Sequence, residues 1–121
     1  MHRDHRRLLH DAEQNNVIFQ DVISTIRAHY ECTPVAFSTG AGTALHTDNA
    51  AGANAASSQL LAYARRLGLD AATALRLYGE HYRDVQADPS GTSHANIRAF
   101  MANGWAGVVM PEDPLRLRGP A

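Results

Sequence analysis

The chain has 121 residues, 45% of them hydrophobic and 19% charged, with a formal net charge of -1, a balance typical of one globular domain and not of a disordered or nucleic-acid-binding chain. Its single cysteine, Cys32, excludes an intramolecular disulfide framework. Because no apolar run approaches the ~20 residues of a membrane span and the N-terminus lacks the apolar middle of a signal peptide, we expect a chain made in the cytoplasm, with no membrane or nucleic-acid partner.

Two helices are predicted at the start of the chain. Residues 3–14 are polar apart from Leu8, Leu9 and Ala12, which predicts a weak helix within 1–16 that must dock on the rest of the chain to persist. Apolar residues then recur at helical spacing and predict a helix over about 17–30. Asn15 or Asn16 is expected to cap it.

The segment that follows is expected to be extended and irregular. Pro34 ends the preceding helix, and short strands are predicted at 35–38 and 43–47, with a third one at 107–110. The sequence GAGTAL at 40–45 has two glycines at the spacing of a dinucleotide-binding motif. It lacks the third glycine and no helix opens after it, so no cofactor is predicted.

The second half of the chain is predicted to be helical. One helix runs from about Ser57 to Gly68, and Asp70 caps the next, so the two form an αα-hairpin. The predicted fold class is α+β, a mainly helical single domain of four or five helices with a small sheet of two or three short strands. Residues 17–110 form its main body, and 111–121 are expected to be a C-terminal tail.

The stretch DPSGTSHANIRAFMANGW, residues 88–105, predicts a turn and then a helix. Its first four residues suit a type I turn, Thr92 or Ser93 can cap the helix, and Gly104 is expected to end it. His94 could serve as an acid or base, because a histidine titrates near neutral pH.

A second polar cluster lies in the long segment before the central helix. His46 and Asp48 are too few ligands for a metal site, so no metal is predicted. Loops of such length are often functional, and a helix start attracts anions. The predicted site has His94 as the candidate catalytic residue and a set of ligand-binding residues: Asn49, Asn54, Ser57, Thr92, Asn96 and Arg98.

Three groups of residues resemble the HopJ type III effector family over residues 17–110. They are YxxTPxxF at 30–37, NxxGxN at 49–54, and the motifs HYRDV, PSGTSHANIRAFM and GWAG within 81–107. The resemblance implies a bacterial protein with no assigned reaction, which a type III system can export into a host cell and which can act in virulence. The chain departs from the family pattern at residues 56–59, where Ala-Ser-Ser-Gln replaces Gly-Ser-Cys-Lys, and at Ser93, where Asp is usual.

Three hypotheses follow for the polar residues. In the first, the protein binds a protein partner or a small polar or anionic ligand. In the second, it is a small enzyme that uses His94 as acid or base and Arg98 as an anion clamp. In the third, the polar side chains satisfy buried backbone groups of the long loop, so that His94→Ala and Asn54→Ala would lower the melting temperature. The first two require the segments around Asn54 and His94 to share one cleft.

Overall fold

The computed structural model describes residues 1–119 and is a mainly helical α+β fold, as the sequence predicts. Within this range, six α-helices and four three-residue strands follow one another, with a short 3₁₀ helix after the last α-helix. In chain order the elements are α1 (Arg3–Glu13), α2 (Phe19–His29), β1 (Tyr30–Cys32), β2 (Phe37–Thr39), β3 (Thr47–Asn49), α3 (Ala55–Arg66), α4 (Ala71–Arg76), α5 (Glu80–Ala87), α6 (Ala95–Asn103), the 3₁₀ helix (Gly104–Gly107) and β4 (Leu115–Leu117). No helix over residues 1–119 is long and apolar enough to cross a bilayer.

The core lies around α3, which packs on α2. The middle of α3, from Ser58 to Ala64, is buried, and Leu60, Leu61 and Tyr63 have no exposed surface. On α2, Val22 and Ile26 lie four residues apart on the buried face. Burial of such side chains contributes roughly 1.5–3 kcal/mol each relative to exposure, so this pair of helices is the rigid base on which the rest of the molecule is arranged.

Helix α2 begins without the asparagine cap that the sequence suggested. Its N-cap residue is Ile18, and the Phe19 amide instead donates to Glu80 Oε1 at 2.7 Å. Glu80 lies at the start of α5, about sixty residues further along the chain. The prediction of an Asn15 or Asn16 cap was therefore wrong, because a carboxylate from α5 takes that place.

A break at Gly79 divides the helix predicted after Asp70 into α4 and α5. Asp70 caps α4 as predicted, its side chain accepting from the Thr73 amide at 2.8 Å. Gly79 then adopts φ 59° and ψ -127°. A Cβ at this position would lie 2.6 Å from the Val17 carbonyl oxygen, so the close approach of the α1–α2 loop requires glycine here. This break raises the helix count above the four or five expected.

The strands form two separate antiparallel pairs. In one, β2 pairs with β3 and Phe37 faces Asn49; in the other, β1 pairs with β4. The predicted strand at 35–38 is displaced to Phe37–Thr39. The one predicted at 43–47 is mostly a turn, because Thr43 donates its amide and its hydroxyl to the Gly40 carbonyl.

The third predicted strand, at 107–110, is reduced to a bridge between Val109 and Ser38. The chain instead forms β4 within 111–121, the range expected to be a tail, and the Thr33 amide donates to the Pro114 carbonyl beside it. Residues 120 and 121 of that predicted tail lie outside the described residues. The C-terminal segment thus packs next to the end of α2.

Candidate functional site

A cleft of about 540 Å³ opens where α3, α5 and α6 meet the start of α2. Asn54 and His94, about forty residues apart in the sequence, both line it. The two polar segments singled out in the sequence therefore share one cleft. Its lining residues are Phe19, Thr47, Asn54, Ala56, Ser57, Tyr78, His81, Thr92, His94, Ala95, Asn96 and Ile97.

Two helices start at this cleft in the same unusual way. The N-cap residue of α3 is Asn54, with φ 50° and ψ 43°, and that of α6 is His94, with φ 52° and ψ 54°. Both are left-handed conformations that cost a residue with a side chain roughly 1–2 kcal/mol. Within residues 1–119, no side chain caps either helix. Their first amides consequently keep the partial positive charge of a helix start.

The predicted cap of α6 by Thr92 or Ser93 was wrong. The turn that precedes them does form, with the Gly91 amide donating to the Asp88 carbonyl at 3.1 Å. Helix α6 then begins only at Ala95, so His94 occupies the cap position. Thr92 lines the cleft instead, where its hydroxyl is free of a capping role.

A buried pair of asparagines fixes β3 against α6. Asn96 Nδ2 donates to Asn49 Oδ1 at 2.9 Å, and Asn49 Nδ2 donates to Asn96 Oδ1 at 3.0 Å. Thr39 and Asn54 extend the network, with Thr39 Oγ1 donating to Asn96 Oδ1 and Asn54 Nδ2 to Asn49 Oδ1. Asn49 also donates to the Phe37 carbonyl. The amide of Asn49 is therefore engaged in holding the fold.

Two hydroxyl groups meet at the floor of the cleft. Ser57 Oγ and the Tyr78 hydroxyl oxygen lie 2.6 Å apart, and Tyr78 is only 2% exposed. Burial raises the pKa of Tyr78 to about 12, although the hydrogen bond with Ser57 acts in the opposite direction. Tyr78 thus stays protonated near neutral pH, and the ring of Phe19 stacks on it at 6.0 Å between centroids. The floor combines a hydroxyl pair with an aromatic wall.

Two imidazoles and a carboxylate stand at the edge of the cleft. The rings of His81 and His94 are 5.0 Å apart between centroids, and His81 meets the Phe19 ring edge-on at 4.8 Å. Asp84 follows His81 by three residues on α5, and one ligand atom from each of the three residues lies within 4.8 Å of the other two. Sequence reasoning missed His81 and Asp84. Their i, i+3 spacing within HYRD was the available signal, because it places both on one helical face.

Arg98 lies apart from the cleft. Its Nε donates to the Ser93 carbonyl at 2.5 Å, and its guanidinium donates to the Asp88 carbonyl at 2.9 Å. Arg98 lines a different depression, together with Val85 and Pro89. The structure therefore brings Arg98 to the loop before α6 and not to the other predicted site residues.

Two other groups of residues named in the sequence analysis make local contacts. His46 Nε2 and Asp48 Oδ1 pair with each other at 2.7 Å on the exposed β2–β3 ribbon. Of the residues that replace the Gly-Ser-Cys-Lys of the resemblance, Ser58 and Gln59 are buried. Ser58 donates to the Ala55 carbonyl, and Gln59 accepts from Arg27.

The comparisons with known proteins place the chain in a family. A solved structure described as the crystal structure of unknown function protein VPA0580 is similar over 93% of this chain and 92% of that chain, with 28% sequence identity and a TM-score of 0.83. No curated protein matches the chain. A family model described as HopJ type III effector protein matches residues 4–115, nearly the whole chain. The chain therefore belongs to the HopJ type III effector protein family.

Proposed function

We propose that the protein binds a small polar ligand with an acidic group, such as a carboxylate or a phosphate, in the cleft. The observation that carries the proposal is the cleft itself, to which the polar loop before α3 and the start of α6 both contribute. Its volume of about 540 Å³ falls within the range of small-molecule sites, roughly 300–1,000 Å³. A cleft of this size favours a small ligand over an extended protein partner.

The two helix starts support an acidic group on the ligand. The first amides of α3 and α6 have no side-chain cap within residues 1–119, and both helices are long enough to carry a dipole. Amide groups and dipole together favour a negative charge at such a position. An acidic group between Ala56 and Ala95 would accept from both helices.

The other residues that line the cleft indicate what the rest of the ligand would contain. The hydroxyls of Ser57 and Thr92 can donate to or accept from polar groups. Phe19 and Ile97 offer apolar contact next to them. The ligand class is therefore a small organic acid or phosphate ester with a modest apolar part.

A binding screen with matched variants tests this proposal. We would measure melting temperatures of the full chain with small carboxylates and phosphates, and map any hit by amide chemical shifts. Ser57→Ala should weaken binding about threefold to tenfold, because a hydrogen bond contributes ~0.5–1.5 kcal/mol. Ser90→Ala, in the exposed turn before α6, is the control and should bind like the wild type.

The screen also has a result that would reject the proposal. Shift changes confined to residues outside 54–57 and 92–97 would show that ligands bind elsewhere. If no small acid raises the melting temperature and a folded protein partner binds at the cleft instead, the result would favour protein binding.

The second candidate is a small enzyme with His94 as acid or base. It is favoured by one observation: the imidazole lines the cleft that also holds the Ser57–Tyr78 hydroxyl pair. Arg98 takes no part in this version, because its guanidinium holds the turn. Turnover of a bound ligand should disappear in His94→Gln, while binding persists. A rate that is unchanged in His94→Gln excludes this role.

Family membership also supports a cellular route. We propose that the protein is made in the bacterial cytoplasm and exported by a type III system into a host cell, where it can act in virulence. A tagged full chain should appear in the medium of a type III-competent strain and not in that of a secretion-deficient mutant. Equal amounts in both media would contradict export by this route.

A further inference from the structure

We propose that His81, Asp84 and His94 form a binding site for a divalent transition-metal ion of the zinc class, at the edge of the cleft. The proposal goes beyond the binding of a small acidic ligand and does not rest on it. It follows from the placement of three side chains that come from two helices: His81 and Asp84 from α5, and His94 from the start of α6.

The geometry is close to that of a metal site. One ligand atom from each of the three side chains lies within 4.8 Å of the other two. In a tetrahedral zinc site, bonds of about 2.1 Å set neighbouring ligand atoms roughly 3.4 Å apart. Rotation of exposed side chains covers the difference, since Asp84 and His94 are both exposed and His81 is half-buried.

The ligand atoms of these three residues are also available. Within the part of the chain that the structure describes, no hydrogen bond or ion pair engages the imidazole of His81 or His94, or the carboxylate of Asp84. Their ligand atoms are therefore free to turn toward an ion.

A second group of the same composition shows the contrast. His2, Asp4 and His29 also bring three ligand atoms within 4.8 Å of one another. There, His29 Nε2 pairs with Asp4 Oδ2 at 2.9 Å, and the Asp4 amide donates to His2 Nδ1 at 3.0 Å. These groups already satisfy one another and tie α1 to α2. The group at the cleft has no such internal pairing.

The backbone of His94 is a further, independent observation. The residue holds a left-handed conformation, φ 52°, at the cap of α6, although its side chain makes no capping hydrogen bond. Such conformations in residues other than glycine are concentrated at ligand clamps and active sites. Here the conformation sets the imidazole beside His81 and not over the amides of its own helix.

The ligand set indicates the class of ion. Two imidazole nitrogens and one carboxylate oxygen suit Zn²⁺ or Co²⁺ better than Mg²⁺ or Ca²⁺, which prefer oxygen ligands. Three protein ligands leave a fourth position for water or for a group bound in the cleft. The ion would also offset the negative charge of Asp84 beside the start of α6. A metal-bound nitrogen of His94 would no longer serve as acid or base.

A zinc titration of the full chain, without any acidic ligand present, tests the site. We expect one Zn²⁺ per chain by calorimetry and equilibrium dialysis. Asp84→Asn should raise the dissociation constant more than about tenfold, since even outer partners of metal sites reach that scale. Asp84 is exposed on α5, so this variant should keep its helical circular dichroism. His94→Gly should show the same loss.

Two histidine variants serve as matched controls. His29→Gln disrupts the second histidine group, and His46→Gln removes an exposed histidine that also sits beside an aspartate. Both should bind Zn²⁺ as the wild type does. Zinc binding that survives Asp84→Asn and His94→Gly, that His29→Gln abolishes, or that the wild type lacks at micromolar zinc would overturn the proposal. Because no acidic ligand is used, failure of the ligand screen would leave a positive zinc result intact.

Discussion

Replacement of His94 by glycine separates a functional role of this residue from a structural one. The left-handed conformation of His94 costs roughly 1–2 kcal/mol in the folded state, and glycine removes that cost. Glycine also adds about 0.5–1 kcal/mol of conformational entropy to the unfolded chain. With no hydrogen bond to the His94 side chain within residues 1–119, little else is lost. The free energy of unfolding should therefore rise by about 0–1.5 kcal/mol.

Urea denaturation monitored by circular dichroism measures this difference. Asn15→Gly is the matched control, because Asn15 has nearly the same backbone conformation, φ 58°, in an exposed turn that does not line the cleft. His94→Ala should change the free energy of unfolding by less than about 0.5 kcal/mol, since it keeps the strain and removes only an exposed ring. Zinc binding should fall in both His94 variants and remain in Asn15→Gly.

One result would refute this reasoning. If His94→Gly lowers the free energy of unfolding by more than about 1 kcal/mol while Asn15→Gly does not, the imidazole contributes to folding. The hypothesis that the polar residues only satisfy the loop would then gain its main support, and the strain at His94 would have no functional meaning.

Three further predictions test the packing of the fold. Asn96→Ala should lower the free energy of unfolding by about 2–4 kcal/mol in urea denaturation, because it removes both hydrogen bonds of the asparagine pair and leaves the buried Thr39 hydroxyl without its acceptor; a loss below 1 kcal/mol would mean that water replaces the pair. Gly79→Ala should cost at least ~2 kcal/mol in the same assay, since its Cβ would lie 2.6 Å from a backbone oxygen of the α1–α2 loop at positive φ. Burial, and after it the nearby histidines, lowers the pKa of His5 below its ordinary 6.5. Because the unfolded chain therefore binds this proton more tightly, the free energy of unfolding should fall as pH drops below about 6.5. A free energy of unfolding that is independent of pH between 7 and 5 would contradict this.

The sequence predicted the parts of the fold that local patterns govern. Helix α2 follows its apolar period, Asp70 caps α4, and Gly104 ends α6 with φ 58°. Elements that depend on distant contacts were missed. The cap of α2 comes from Glu80, and the three-residue strand β4 exists only because it pairs with β1. Runs of that length have too few residues to show an alternating pattern.

The sequence predicted only part of the candidate site. Asn54 and His94 lie on one cleft, as the binding and enzyme hypotheses require. Arg98 was grouped with His94 because residues four apart share a helical face. That rule fails here because His94 is the left-handed cap and lies outside the helix that carries Arg98. His81 could not be predicted as a site residue from its own motif, because its neighbour His94 comes from the start of a different helix, α6.

The buried asparagine pair gives the long irregular loop a physical purpose. Asn49 and Asn96 exchange two hydrogen bonds out of contact with water, and such bonds lock the register between β3 and α6 more tightly than apolar packing would. Asn96 is only two residues from His94, and Asn54 donates to the same pair from the start of α3. Both helix starts are consequently fixed relative to each other before any ligand arrives. A cleft held in this way loses little conformational entropy on binding, so the network that stabilises the fold also prepares the site.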